Sequence, residues 1–393
     1  MSDRGRVYFD NAATSFPKPP GVIEAVNEYM TRVGASAGRG AYREAVASGE
    51  MLARLRAALR RLLGAAAADH VLFAFNGTDA LNLALKSVVK PGQHVVTSVL
   101  DHNSVLRPLT ALHETRQVAW NAVPLEPGAG FVNVGAIREA LTSKTALVVL
   151  TAASNVTGAL QPIAEVAELC RARGILFLVD AAQAAGHAQL DFSGLGADLL
   201  ATPGHKGLLG PQGTGLLLVR AGVEERMATV REGGTGSGSE HPIQPSWLPD
   251  RFEAGCHNGP GLAGLLAAVE WLERESVRAI ELRERELTAR LLDGLAGTPG
   301  LRVLGPADAG SRVGVVSVSC EDLPPQELAL LLEQEFGLLV RSGLHCAPLA
   351  HRALGTERDG GATRISLGPF VTQADIDRLV EALRSITRSA QPG

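Results

Sequence analysis

The sequence predicts an α/β protein: a large unit on a mainly parallel sheet, joined to a smaller α+β unit at the C-terminal end. Three observations carry that expectation. From about residue 20 to 270, short apolar runs alternate with amphipathic stretches, the pattern of successive βαβ units. A long helical pattern, about residues 261–295, then leads out of this region. Beyond it, single strands and helices alternate on a smaller scale. The expected division is residues 20–270 for the large unit, with residues 1–19 and 271–393 in the small one.

Taken in order, His70–Phe75 reads as a strand, Asp79–Val89 as a helix, and Gln93–Val99 and Thr145–Leu150 as further strands. Ile163–Arg173 has helical spacing. Gly174–Val179 is apolar without interruption, as a strand buried on both faces must be. Asp198–Ala201 and Gly215–Val219 complete the sheet. In the long helical pattern, residues 270–290 interleave Glu and Arg, which reads as a solvated face. The small unit then offers a strand at Arg312–Ser319, a helix at Pro325–Glu335, a strand at Arg364–Leu367 and a helix at Gln373–Ser385.

Composition narrows the function classes. The chain has 393 residues, 46% of them hydrophobic and 20% charged, an ordinary globular balance. A net charge of −4 gives no basic surplus for nucleic acid or an anionic membrane surface. The first residues lack the apolar core of a signal peptide, and no run approaches the roughly 18 apolar residues of a membrane span. Cysteines at 170, 256, 320 and 346 form no CxxC pair. They read as reduced thiols of a cytoplasmic protein.

Open parallel sheets bind ligands at the carboxyl ends of their strands, and four polar clusters fall at such ends. At Asn76-Gly77-Thr78 a strand stops and a helix begins. Free N–H groups there suit a phosphate, although Gly-Thr is equally an ordinary helix start. Asp180 ends a fully apolar strand, where a carboxylate needs a cationic partner such as a protonated pyridine nitrogen, or else caps the next helix. Lys206, between His205 and Gly207 after another strand, is either a desolvated, Schiff-base-forming amine or a surface loop lysine. Cys346 follows His345 and stands five residues after Arg341 in a Gly-containing loop. It is a reactive-thiolate candidate that His345 or Arg341 would activate, or a small buried Cys. A metal site fits poorly, because Cys346 with His351 and Cys256 with His257 lack a second pair at ligand spacing. Gly233–Ser239 is glycine-rich, but no strand precedes it and no helix follows, so a nucleotide loop is disfavoured against a loop near the active-site mouth or a subunit interface.

In this order the clusters resemble the fold-type I pyridoxal-phosphate (PLP) enzymes of the class V aminotransferase group. The likeness is narrower still to the group II cysteine desulfurases, the branch that includes selenocysteine lyases. Nine motifs carry it: Tyr8–Thr14, Asn76–Thr78, Asp101–Asn103, Ser154–Gly158, Val179–Gln183, Gly204–Lys206, Arg251–Gly255, Arg341–Ala347 and Thr363–Leu367. The resemblance implies that Lys206 carries PLP as a Schiff base and that Asp180 pairs with the pyridine nitrogen. It implies that Gln183 bonds the phenolic oxygen, that His102 stacks on the ring, and that Gly77, Thr78 and His205 hold the phosphate. Arg364 would bind the substrate carboxylate, and Asn155 and Arg341 would line the substrate side. Cys346 would take the sulfur of L-cysteine as a persulfide, releasing L-alanine, and pass it to an acceptor protein or thiol. A homodimer is implied as well.

Three positions depart from the family pattern. Pro203 stands where many members have a phosphate-binding Ser, with Thr202 one place earlier as the expected substitute. Cys256 replaces a Thr that reaches the partner subunit's phosphate, and Leu344 replaces a second His before His345. Other class V reactions (selenocysteine lyase, cysteine-sulfinate desulfinase or another C–S lyase) need Lys206 and Arg364 without depending on Cys346. A non-catalytic scaffold of the same fold is opposed by the intact Lys206, Asp180 and Arg364.

Overall fold

The computed structural model describes residues 5–126 and 130–390. A two-residue strand, β1 (Val7–Tyr8), precedes seven strands of one sheet. These are β2 (His70–Ala74), β3 (His94–Ser98), β4 (Ala119–Val123), β5 (Thr145–Thr151), β6 (Leu176–Asp180), β7 (Leu199–Pro203) and β8 (Gly215–Val219). The C-terminal third adds β9 (Leu301–Leu304), β10 (Val315–Cys320), β11 (Leu338–Leu339), β12 (Arg341–Gly343) and β13 (Ala362–Ser366).

The large sheet has the order β2-β8-β7-β6-β5-β3-β4. All its pairings are parallel except those of β8, which runs antiparallel to both β2 and β7. Its central strands β5 to β8 are largely apolar because helices cover both faces. Alternation along the chain distributes the side chains: Val148, Leu150, Phe177 and Val179 join the core beneath the helix Arg43–Leu62. Leu147, Val149, Leu176 and Leu178 join the core on the other face, with the helix Gly77–Val88. Register aligns the strand ends, with Thr151 opposite Asp180 and Asp180 opposite Ala201, so β5, β6 and β7 deliver their last residues to one rim.

A second, antiparallel sheet has the order β12-β13-β10-β9 and packs on helices through Leu291, Val316, Leu328, Ile365 and Leu379. Phe9 is buried in that same core, and β1 pairs with β11. The N-terminal segment then crosses to the large sheet, where residues 14–18 meet the loop carrying Lys206.

Several expectations need adjustment. The single helix expected over residues 261–295 is two, Gly259–Glu275 and Val277–Leu295. They are separated at Ser276, whose φ of 68° and ψ of 119° interrupt the helical ladder. The charged stretch is not wholly solvated either, since Glu284 is buried against His187 at 2.9 Å. The strand expected from Arg312 starts at Val315. Arg312 itself is buried and donates to the carbonyl oxygens of Pro306, Leu304 and Val315. The sequence reading lacks the short strands β1, β11 and β12, and also β4 and β9. The last two are edge strands whose half-exposed, partly polar residues weaken the apolar signal.

Candidate active site

The strand ends and the small unit enclose a cavity of about 300 Å³. At β2 the chain turns into the helix Gly77–Val88, capped by Asn76, whose Oδ1 accepts from the Asp79 N–H at 2.9 Å. The cap is thus Asn76, which leaves Gly77 and Thr78 facing the cavity at the positive end of a helix. A Cβ at Gly77 would crowd Pro203, lying 3.0 Å from its Cδ. The Thr78 hydroxyl lies 2.7 Å from that of Ser104.

After β3, the buried Asp101 accepts from Thr97, from the Ser98 N–H and hydroxyl, and from the Thr151 N–H, which fixes the turn. Its carboxyl is pushed up to about 6, chiefly by burial. The next residue, His102, caps the helix Asn103–Arg116: its Nδ1 accepts from the Ser104 N–H at 3.0 Å. Burial, aided by Lys206 and Arg341, pushes this imidazole down to about 4, so a neutral ring lines the cavity.

Asp180 ends β6 with 4% exposure. Its Oδ1 accepts from the Ala182 N–H at 2.9 Å, and among the described residues it has no ion pair. Burial raises its carboxyl, with the Ala182 bond and Lys206 opposing. An acid in this position is a fitting partner for a cationic ring nitrogen. Gln183 is buried nearby, and its Nε2 donates to the Ala12 carbonyl at 3.1 Å.

Lys206 follows β7, and its amine is pushed down to about 8 by burial and by Arg364 and Arg341, with Asp180 opposing. Its loop is held from outside. The His205 carbonyl accepts from the Ser15 N–H at 2.9 Å, from the Ser15 and Thr14 hydroxyls, and from Lys18 Nζ at 3.4 Å. The His205 ring is pushed down to about 4 by burial, and its Nδ1 is buried without a partner. Thr202, expected as a phosphate ligand, does not line the cavity. Its side chain is buried and its hydroxyl lies 3.5 Å from the carbonyls of Ala181 and Pro203, because alternate residues of β7 point to opposite faces.

The small unit closes the other side. Arg341 on β12 stands directly opposite Arg364 on β13. Two like charges in register oppose each other unless anions lie near. Asp10 supplies one: Arg364, almost wholly buried, pairs with it at 2.8 Å and also donates to the Asn155 carbonyl. Its Nε stays buried and unpaired. The Asn155 amide donates to the His345 carbonyl at 2.7 Å, and the Asn103 N–H to the Cys346 carbonyl at 2.8 Å. Cys346 is exposed, with Sγ 3.9 Å from Arg341 Nη2. His345 does not activate this thiol. Its ring is buried against His351 and pushed down to about 2 by desolvation, which leaves Arg341 as the neighbouring cation.

The sequence reading assigns no part to Asp10, which holds Arg364 from behind, or to Ser104, which lines the cavity. An acid directly after the apolar pair Tyr8-Phe9 is the signal for the first, and the position after His102-Asn103 for the second. Cys256 lies outside the cavity, with the Ser36 hydroxyl 3.5 Å from its sulfur. Gly233–Ser239 lies in a connection without helix or strand, held to Arg39 through Gly234. Among the described residues no cluster of His, Cys, Asp and Glu forms a metal site, and no helix is long and apolar enough to cross a membrane.

A doubly covered sheet with a buried acid, a desolvated lysine and a phosphate-ready helix start at its rim defines a PLP-binding fold. The chain belongs to the class V aminotransferase family, whose model matches residues 7–379. It is 33% identical over 386 residues to a probable cysteine desulfurase of Methanothermobacter thermautotrophicus, covering 98% of this chain and 95% of that protein. It is 28% identical over 393 residues to a cysteine desulfurase of Serratia proteamaculans, covering 97% and 93%. Among solved structures it resembles the apo cysteine desulfurase of Thermococcus onnurineus, with a TM-score of 0.89, 28% identity and coverage of 98% and 95%. The cysteine desulfurase CsdA of Escherichia coli, in an S-sulfonic acid form, matches with a TM-score of 0.85, 26% identity and coverage of 98% and 96%. The fold is that of the fold-type I PLP enzymes, and PLP is the cofactor of the family. The residues present fit it: an unpaired Asp180, an unpartnered His205 Nδ1, and a Lys206 amine without a hydrogen-bond partner among the described residues.

Proposed function

We propose that this chain is a PLP-dependent cysteine desulfurase that converts L-cysteine to L-alanine and receives the sulfur on Cys346. The observation that carries the reading is the anchoring of the cysteine loop beside the cavity. Asn103 and Asn155 bind the backbone of Cys346 and His345, and Arg341 lies beside the thiol.

Lys206, Asp180, Gln183, His102, Gly77, Thr78 and His205 hold the cofactor, which when bound supplies an electron sink for the substrate's α-carbon. Arg364 binds the substrate carboxylate through its planar fork, and Arg341 and Asn155 border the substrate. The Lys206 amine, held low by burial, removes and returns protons at the substrate carbons. Cys346 attacks the substrate sulfur as the thiolate. The new S–S bond forms as the Cβ–S bond breaks, the electron pair stays with the substrate carbon, and protonation there gives the methyl group of alanine. The sulfur remains as a persulfide until an acceptor protein or small thiol takes it.

The reading includes a cytoplasmic homodimer. Phe75, Tyr42 and Trp247 are each more than half exposed, apolar side chains of the kind a second copy would cover. The activity is tested by alanine and sulfide release from L-cysteine with a reductant, for wild type and Cys346→Ala, with the PLP absorbance of both. PLP in both and sulfide from wild type alone is the expected result. An equally active mutant reassigns the enzyme to a lyase reaction that does not use the thiol.

A further inference from the structure

Beneath the cysteine loop lies a row of polar side chains to which the proposed chemistry gives no part. His345 Nε2 lies 3.4 Å from the Arg341 carbonyl, and His345 Nδ1 lies 3.2 Å from His351 Nε2. His351 Nδ1 lies 2.8 Å from the Thr356 hydroxyl. His345, His351 and Thr356 are all at most 2% exposed, so no water satisfies these atoms from outside.

Anchored at the Arg341 carbonyl, the row runs in one direction. A carbonyl only accepts, so His345 Nε2 carries a proton and donates to Arg341. His345 Nδ1 is then an acceptor, and His351 Nε2 must donate to it. His351 Nδ1 accepts in turn from the Thr356 hydroxyl. That hydroxyl also lies 3.5 Å from the His351 carbonyl, but the shorter contact takes the single proton.

What the row holds is unusual. His345 and Cys346 both have left-handed backbones, with φ of 50° and 57°, although neither is glycine. Such a pair persists only when its surroundings over-determine it. Two of the restraints are the Asn155 and Asn103 bonds already described. The buried His345 ring is the third, and it ties the end of the loop back to Arg341, the residue whose guanidinium sits beside the thiol.

We propose that Thr356, His351 and His345 form a one-directional hydrogen-bond chain that holds Cys346 in its left-handed conformation beside Arg341. His351 is therefore a positioning residue for sulfur transfer. The inference rests on the sulfur-accepting role proposed for Cys346. It goes beyond that role by assigning a function to His351 and Thr356, which do not line the cavity.

The experiment uses the PLP-loaded protein and three variants: His351→Leu, which removes both ring nitrogens; His351→Gln, which restores a donor near Nε2; and Thr356→Val. In His351→Leu, kcat for alanine formation falls about tenfold to a hundredfold, while KM for L-cysteine stays within about threefold and the PLP absorbance is unchanged. Amide hydrogen exchange across residues 343–347 speeds up in the same variant. His351→Gln returns both readouts most of the way, and Thr356→Val gives a smaller loss in the same direction. Wild-type kcat and exchange in His351→Leu overturn the proposal, as does a loss that His351→Gln does not recover. If His351→Leu does not fold, unchanged kcat and exchange in Thr356→Val overturn it instead. Should Cys346→Ala keep full activity, the sulfur-accepting role fails, while the exchange measurement still decides whether the chain holds the loop.

Discussion

At the residue scale, three side chains gain their chemistry from burial. Lys206 is pushed down to about 8, so PLP added to the cofactor-free protein should combine faster as pH rises through about 8. Stopped-flow absorbance checks this, and a midpoint near the ordinary lysine value would remove desolvation as the cause. Arg364 lines the cavity and is held between Asp10 and the Asn155 carbonyl. Arg364→Lys keeps the charge but not the fork, so KM for L-cysteine should rise about tenfold or more. Asp180 and Lys206 stand out in the sequence because each is polar at the end of an apolar strand. The Asp10–Arg364 pair does not, since its members are 354 positions apart and meet only when β1 and β13 share a core.

At the element scale, the site depends on two turns packed backbone to backbone. Gly186, in the turn after β6, has φ of 86°, and a Cβ there would lie 1.9 Å from the Gly207 carbonyl oxygen. Gly207 follows Lys206, so this contact sets the Lys206 turn against the turn that follows Asp180. Gly186→Ala should destabilise the fold by about 2 kcal/mol or more and weaken PLP retention. Urea unfolding and cofactor titration measure the two effects, and a neutral substitution would show that the turns move independently. The apolar central strands β5 to β8 are legible in sequence because burial on both faces demands unbroken apolar runs. The edge strands β4 and β9 escape notice because exposure relaxes that demand.

At the scale of the whole molecule, buried neutral histidines make stability fall in acid. His351 is pushed down to about 4 by burial, whereas in the unfolded chain it takes a proton near 6.5. Between those values the unfolded state holds the extra proton, so folding weakens as pH falls from about 6.5 to about 4. His345 acts in the same sense over a wider range, while Asp101, raised to about 6, acts in the opposite one. The difference between wild type and His351→Gln isolates one group. Wild type should lose about 1.4 kcal/mol more per pH unit in that window. Parallel pH profiles for the two proteins would show that His351 is protonated in the native state. The homodimer is a prediction at the same scale: sedimentation should give twice the chain mass, and Trp247→Glu should shift the population toward monomer.

By itself the sequence determines the α/β class, the order of the central strands along the chain, and the residue types waiting at their ends. Periodicity and burial are local properties, and an acid or lysine that ends an apolar run is conspicuous wherever the chain later goes. Only the tertiary structure decides which of those residues meet. It turns Thr202 away from the cavity, because alternate positions of β7 face opposite ways. It turns the His345 ring to His351 and the Arg341 carbonyl. It also sets Arg341 opposite Arg364. Those outcomes depend on strand register and on the packing of segments far apart in the chain, and no stretch of sequence contains them.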